Sequence, residues 1–171
     1  MKPLASKIDE PVRSPLTRHE GIDFDLIELI YFAYRDFTSD PDVILTDYEF
    51  GRAHHRVLHF VNRKPGLTVA ELLDVLRITK QSLSRVLKQL IDSGHILQIQ
   101  GTTDRRQREL YPTQKGRNLA LELARPQSRR IRTALTGMTT EERAAIERFL
   151  GAMVTDGQQQ APKAVPQMHE D

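Results

Sequence analysis

The chain of 171 residues contains no cysteine. That absence excludes a disulfide framework, a thiolate metal site and a thiol redox sensor, and it fits a reducing cytoplasm as the expected location. Long hydrophobic runs are also missing. Nothing approaches the roughly 18 apolar residues that a membrane span needs, and Met1-Lys2-Pro3 leads into polar sequence without the apolar stretch of a signal peptide, so no membrane partner is expected. Catalytic signatures are absent too: there is no glycine-rich phosphate loop, no HExxH pair and no G-x-S-x-G elbow. Neither an enzyme nor a cofactor is expected, and no internal repeat points to a solenoid.

What is present is ordinary globular material, 39% hydrophobic and 28% charged, with a net charge of only +2. The charge is unevenly placed. Between positions 77 and 108, Arg77, Lys80, Arg85, Lys88, Arg105, Arg106 and Arg108 face only Asp92 and Asp104, a local surplus of five that leaves the rest of the chain at −3. Local charge sets how strongly a surface attracts phosphates, so the window from 77 to 108 is the candidate for a polyanionic partner.

Apolar spacing lays out the elements. Leu26, Ile27, Ile30, Ala33, Tyr34 and Phe37 predict an amphipathic helix over 23–38, and Leu29, Tyr31 and Phe32 make its other side apolar as well. Such a helix is either central to the core or packed against a second chain. Asp40-Pro41-Asp42 ends it, and Thr46 is the expected cap of a helix over 47–63 that buries Phe50, Ala53, Val57, Phe60 and Val61. His54 lies at the edge of that face, while His55 and His59 fall on the opposite side.

Lys64-Pro65-Gly66 is a stop. Thr68 and Glu71 then form a capping box ahead of Val69, Leu72, Leu73 and Leu76, and residues 77–79 make a tight turn. Thr79 caps a second short helix with Leu83, Val86, Leu87, Leu90 and Ile91 on one stripe, ended by Ser93-Gly94. A strand through Ile96, Leu97 and Ile99, a turn over 101–106 and a return strand over 109–111 predict a hairpin, with Pro112 at its edge. Thr113 caps a long helix that Pro126 should bend or divide, and Thr139 with Glu142 opens a last helix through Ile146, Phe149, Leu150 and Met153. The predicted fold is therefore mainly α with a small β-hairpin wing: a winged helix-turn-helix flanked by N- and C-terminal helices. Its parts are a flexible arm at 1–21, a helix and linker at 22–45, the winged region at 46–112, C-terminal helices at 113–155 and a disordered tail at 156–171.

On the second short helix, with Leu83, Val86, Leu87 and Leu90 turned inward, Gln81, Arg85 and Lys88 project together on the far side with Ser84 at the margin. That arrangement suits reading a groove of double-stranded DNA, Gln81 matching adenine and Arg85 guanine, or either touching phosphate. Thr79, Lys80 and Ser82 occupy the first turn, where free amides favour a phosphate. In the hairpin tip, Arg105, Arg106 and Arg108 are long cations suited to a minor groove, and Asp104 is expected to hold the tip in shape by accepting a bond from Arg106 or a loop amide.

The opening T-x-x-E-L at Thr68–Leu72, the Ser84-Arg85 pair, Gly94 and the pattern D-R-R-x-x-x-L-x-x-T-x-x-G from Asp104 to Gly116 together resemble the MarR family of winged-helix transcription regulators. The resemblance covers roughly residues 24–154. It implies that Asp104 and Arg106 form the wing's Asp-x-Arg element, that two copies join through their terminal helices as a homodimer, and that DNA binding represses a promoter. Two-fold pairing, which sets two recognition helices about 34 Å apart, predicts a pseudopalindromic site. The resemblance also implies a small-molecule effector cavity between the dimerisation helices and the DNA-binding part, which Tyr31, Tyr34, Phe50, His54 and Phe60 would line. Two other readings compete: a winged-helix module that binds protein and not DNA, and a divalent-metal-responsive regulator using His55 and His59, four residues apart on one helix face.

Overall fold

The structure, a computed structural model, describes residues 12–17, 20–101 and 106–154. It divides into two compact units, Met1–Asp36 and Phe37–Asp171. In the first unit the dominant feature is most of α1 (Phe24–Ser39), opened by the Asp23 carboxylate, which accepts from the Leu26 amide. No residue of α1 is buried, and Ile27, Leu29, Tyr31 and Tyr34 are all more than half exposed. The terminal segments predicted as arm and tail lie largely outside the described residues, as do Thr102, Thr103, Asp104 and Arg105 of the wing tip.

The second unit holds the core. A short helix α2 (Asp42–Asp47) precedes α3 (Arg52–Arg63), where the sequence predicts one helix over 47–63. Thr46 is not a cap: it lies inside α2 and donates its hydroxyl to the Asp42 carbonyl at 2.9 Å. The chain breaks instead at Glu49, whose φ of 56° is left-handed, and the Phe50 amide reaches back to the Leu45 carbonyl at 2.9 Å. That is the usual way to satisfy end carbonyls, built here without glycine. Gly51 then starts α3, its amide donating to His54 Nδ1 at 3.0 Å.

Leu67–Thr68 forms a two-residue strand β1 ahead of α4 (Val69–Leu76), α5 (Lys80–Asp92), β2 (Ile96–Gln100), β3 (Arg108–Pro112), α6 (Gln114–Ala134) and α7 (Thr140–Met153). The wing is thus a three-stranded antiparallel sheet in the order β1-β3-β2, with Leu67 opposite Leu110 and Ile96 opposite Pro112. Pro112 sits where only β2 pairs with it, so its missing amide breaks no second ladder. Helix α6 runs through Pro126 undivided. Its later turns are tied to the start of the unit, Gln127 donating to the Phe37 carbonyl at 3.0 Å and Arg130 clasping Asp40 at 2.6 and 2.7 Å. Those ties hold the helix across the hydrogen bond that proline cannot make.

Leu58 and Val61 of α3, Leu72 of α4, Leu83 and Leu90 of α5, Ile96, Leu110, Leu119 and Leu123 pack into one cluster that excludes water. Full burial of one such side chain contributes on the order of 2 kcal/mol. Among the described residues no helix is long and apolar enough to cross a membrane.

The capping box at the head of α4 forms as the sequence predicts. Glu71 accepts from the Thr68 amide at 2.8 Å and the Thr68 hydroxyl at 2.7 Å, while Thr68 Oγ1 accepts from the Glu71 amide at 3.2 Å. Lys64 adds a bond at 2.6 Å, and the Lys64 ammonium first, then the Thr68 amide, bring the Glu71 carboxyl down to about 2. A carboxylate with a depressed folded pKa contributes stability above its ordinary value near 4.5, and the contribution is lost as pH falls from there towards 2. Glu71→Gln is therefore expected to destabilise the protein at neutral pH by about 0.5–1 kcal/mol, a modest figure because the pair is solvent-screened. Denaturant midpoints measured between neutral pH and pH 3 should show a shallower acid loss in the variant; parallel curves would remove Glu71 from the balance.

Candidate nucleic-acid interface

Helix α5 is fixed from behind and open in front. Leu83, Val86, Leu87 and Leu90 are buried, whereas Lys80, Gln81, Ser84, Arg85 and Lys88 are exposed. The apolar stripe anchors the helix, so the outward side chains meet a partner with little reorganisation. Thr79 serves as the cap of α5. Its hydroxyl accepts from the Ser82 amide at 3.2 Å and donates to Ser82 Oγ at 2.9 Å. Ser82 is half-buried beside it.

Two supports that the sequence pattern does not reveal hold α5 in place. His54 Nδ1 is occupied by the Gly51 amide, which leaves the Nε2 proton to donate to Gln89 Oε1 of α5 at 2.7 Å. The His54 ring stacks on Phe50 with centroids 4.6 Å apart, which steadies the ring that bonds α5. Just past the C-terminus of α5, Lys115 donates to the Ser93 carbonyl at 2.9 Å, and Thr113 donates its hydroxyl to the Gly94 carbonyl at 2.7 Å. His95, 1% exposed, bonds Ser93 Oγ at 2.8 Å and lies edge-on to Phe50 and Tyr48. Burial first, and then the Lys115 charge, holds His95 below the ordinary histidine value. The bonds from His54 to Gln89, Lys115 to Ser93 and Thr113 to Gly94, and the packing of Tyr48 and Phe50 on His95, join residues distant in sequence, and no local pattern announces them.

In the wing, Arg106 lies exposed in the turn and Arg108 exposed at the head of β3, opposite Gln100. Asp104 and Arg105 fall outside the described residues. Of the candidate effector residues, Tyr31 and Tyr34 are exposed on α1, Phe50 and His54 are packed as described, and Phe60 is half-buried against the core with its ring edge-to-face with His59. Two open depressions, one between Thr17 and Asp25 and one beside Asp40, Pro126 and Arg130, are lined by none of these five.

His55 and His59 do share a face of α3. Among the described residues they belong to no group of three or more potential metal ligands. Arg52, Arg56 and Arg63 lie on the same side of the helix by periodicity, and partial burial first, then neighbouring positive charge, lowers both imidazole pKa values. Asp42 pulls the other way on His55 but is itself paired with Arg52, so Arg56 and Arg63 leave this face net positive, which opposes a divalent cation.

Lys88 carries an ion pair with Asp92, one turn further along α5, and both are exposed. A phosphate must compete with that carboxylate for the ammonium. Asp92→Asn is expected to tighten DNA binding by roughly 2- to 5-fold at low salt, and the gain should shrink as salt rises. Fluorescence anisotropy with labelled duplex checks this; equal or weaker binding by the variant at low salt would show that Lys88 does not meet DNA.

Comparison with known proteins gives a consistent outcome. A sequence model of the MarR family matches residues 48–107. The HTH-type transcriptional regulator PetP of Rhodobacter capsulatus is 48% identical over 128 residues, covering 75% of this chain and 77% of that protein. Among solved structures, a putative MarR family transcriptional regulator from Listeria monocytogenes complexed with a 26mer DNA superposes with a TM-score of 0.64 at 23% identity, covering 74% of this chain and 84% of that one. FabT of Streptococcus pneumoniae in complex with DNA gives a TM-score of 0.64 at 22% identity, over 76% and 94% of the two chains. At those identities the structural likeness establishes the fold.

Proposed function

Since the chain belongs to the MarR family and is a DNA-binding transcriptional regulator, we propose that it acts as a homodimeric repressor that reads a pseudopalindromic site with α5 and grips the flanking minor groove with its wing. The observation that carries the reading is the division of α5 into a buried Leu83, Val86, Leu87, Leu90 stripe and an exposed Gln81, Ser84, Arg85, Lys88 face. Gln81 and Arg85 have the donor geometry for paired bonds to adenine and guanine, and Lys80 and Lys88 supply charge for phosphates.

Dimerisation is supported by uncovered apolar surface on the terminal helices. Leu26, Ile27, Leu29, Tyr31 and Phe32 of α1 and Phe149, Leu150 and Met153 of α7 are exposed in a single copy. Apolar surface of that extent marks an interface. A two-fold pair sets its recognition helices about 34 Å apart, one turn of duplex, and occupies a promoter against polymerase. A small ligand that preferred a different separation of the two copies would relieve repression by the difference in its affinity for the two arrangements.

Selection of bound duplexes from a random pool tests the reading directly. A pseudopalindrome with half-sites one turn apart is the expected product; a pool without sequence preference would reject specific recognition. For the wing, Arg106→Ala should lower the magnitude of the log–log salt slope by about one for each phosphate left unneutralised. An unchanged slope and affinity would remove Arg106 from the DNA surface.

A further inference from the structure

Four glycines, Gly21, Gly66, Gly94 and Gly137, take positive φ, and only two other described residues do so: Glu49 and Arg77. An L side chain in that conformation costs free energy that glycine does not. Arg77 is the residue at the corner of the helix-turn-helix, with φ 48° and ψ 43°, closing α4 through its amide, which donates to the Leu73 carbonyl at 2.8 Å. Nothing in that backbone role uses a guanidinium. The side chain is exposed, and among the described residues no carboxylate forms an ion pair with it.

Strain alone does not single Arg77 out, because Glu49 is equally strained where α2 stops. Charge and place do. Arg77 stands two positions before the Thr79 cap and three before the exposed Lys80, at the end of α5 that leads into the groove. When such a module docks, the first helix of the pair crosses the sugar-phosphate backbone and the start of the second meets the bases, so the corner between them lies over a phosphate strand. Ile78 beside it packs against the core and fixes the corner to the body. We infer that Arg77 is a DNA-backbone contact of each half-site, an arginine kept at a position that favours glycine because its charge reaches a phosphate beside the recognition helix. The inference rests on the DNA-binding reading above and adds a residue to it.

Full-length Arg77→Gln, Arg77→Gly, Arg56→Gln and Arg85→Ala proteins, titrated against a mixed-sequence duplex of about 30 base pairs over about 50–200 mM salt, separate the possibilities. Both Arg77 variants are expected to lower the magnitude of the salt slope by about 0.9 per subunit and to weaken binding several-fold at physiological salt. Arg77→Gln, which keeps the strained backbone, should melt like wild type, whereas Arg77→Gly should melt roughly 2–4 °C higher. Arg56 lies on the side of α3 away from His54 and α5, so its neutralisation should leave the slope unchanged. A wild-type slope in both Arg77 variants, while Arg85→Ala weakens binding, overturns the Arg77 contact and leaves the recognition helix standing. An equal slope change in Arg56→Gln, or a lower melting temperature in Arg77→Gly, also overturns it. Wild-type protein that binds no duplex overturns the DNA reading and the contact together.

Discussion

Replacing Gly116 by alanine is expected to destabilise the protein by about 3 kcal/mol or more, lowering its melting temperature by roughly 6–12 °C. A Cβ at this position would stand 2.0 Å from the His95 carbonyl oxygen and 2.9 Å from its carbon. Those atoms belong to backbone that cannot retreat. The His95 carbonyl accepts from the Thr113 amide at 3.1 Å, its own amide donates to the Leu90 carbonyl at 2.8 Å, and its ring is buried. Helix α6 would have to lift away, breaking the Thr113 bonds to the Gly94 and His95 carbonyls and the Lys115 bond to Ser93. Because those bonds also hold the end of α5 and the start of β2, the damage should extend to DNA binding. Gly151 in α7 is the control, since a Cβ there meets nothing within 4 Å and alanine is the better helix former. Thermal melts of the two variants decide the matter. A Gly116→Ala protein melting within a degree or two of wild type would mean that the close approach of α6 to His95 does not exist in solution.

Gly116 also marks the boundary of what the sequence could disclose. As the last letter of the wing motif it was visible, but the reason for it, a carbonyl 21 positions earlier, is a tertiary contact. Signals carried by spacings of three or four residues were legible: the Thr68–Glu71 and Thr139–Glu142 boxes, the Thr79 and Thr113 caps, and the apolar stripe of α5. Capping and amphipathicity are local, so spacing alone specifies them. The break between α2 and α3 was hidden because Glu49 takes a glycine conformation without being glycine, while the apolar period appeared to continue across it. Strand β1 was hidden because two residues have no period of their own; Leu67 and Thr68 are a strand only through Leu110 and Glu109. Of the bend or division that Pro126 signalled, the division does not occur, and long-range bonds from Gln127 and Arg130 secure the turns after it. In the candidate site, the outward face of α5 followed from its inward face. The bond of His54 to Gln89 and the packing of Tyr48 and Phe50 on His95 did not, because each joins elements that only the fold brings together.

Arg85→Ala is expected to remove most of the sequence preference at one base pair in each half-site, at a cost of roughly 1–3 kcal/mol, or about 5- to 150-fold, per half-site. A two-fold complex contains the change twice, so the energies roughly double if the half-sites act independently. The expectation follows from position. Arg85 is exposed between Gln81 and Lys88 on the outward face, on a helix whose back is held by four buried side chains and by the His54 bond to Gln89. A guanidinium so placed can offer two donors to the O6 and N7 of guanine without reorganising its support. It can equally grip a phosphate, and affinity alone does not separate the two. A cycle that combines Arg85→Ala with a change of the guanine in the selected operator does. If Arg85 reads that base, the base change weakens wild type strongly and adds little in the variant. If Arg85 holds a phosphate, the two losses add, and the variant weakens binding about equally on every sequence while flattening the salt slope by about one per subunit. A variant that keeps both the wild-type preference and the wild-type slope would place Arg85 off the duplex, and with it the outward face of α5 on which specific recognition depends.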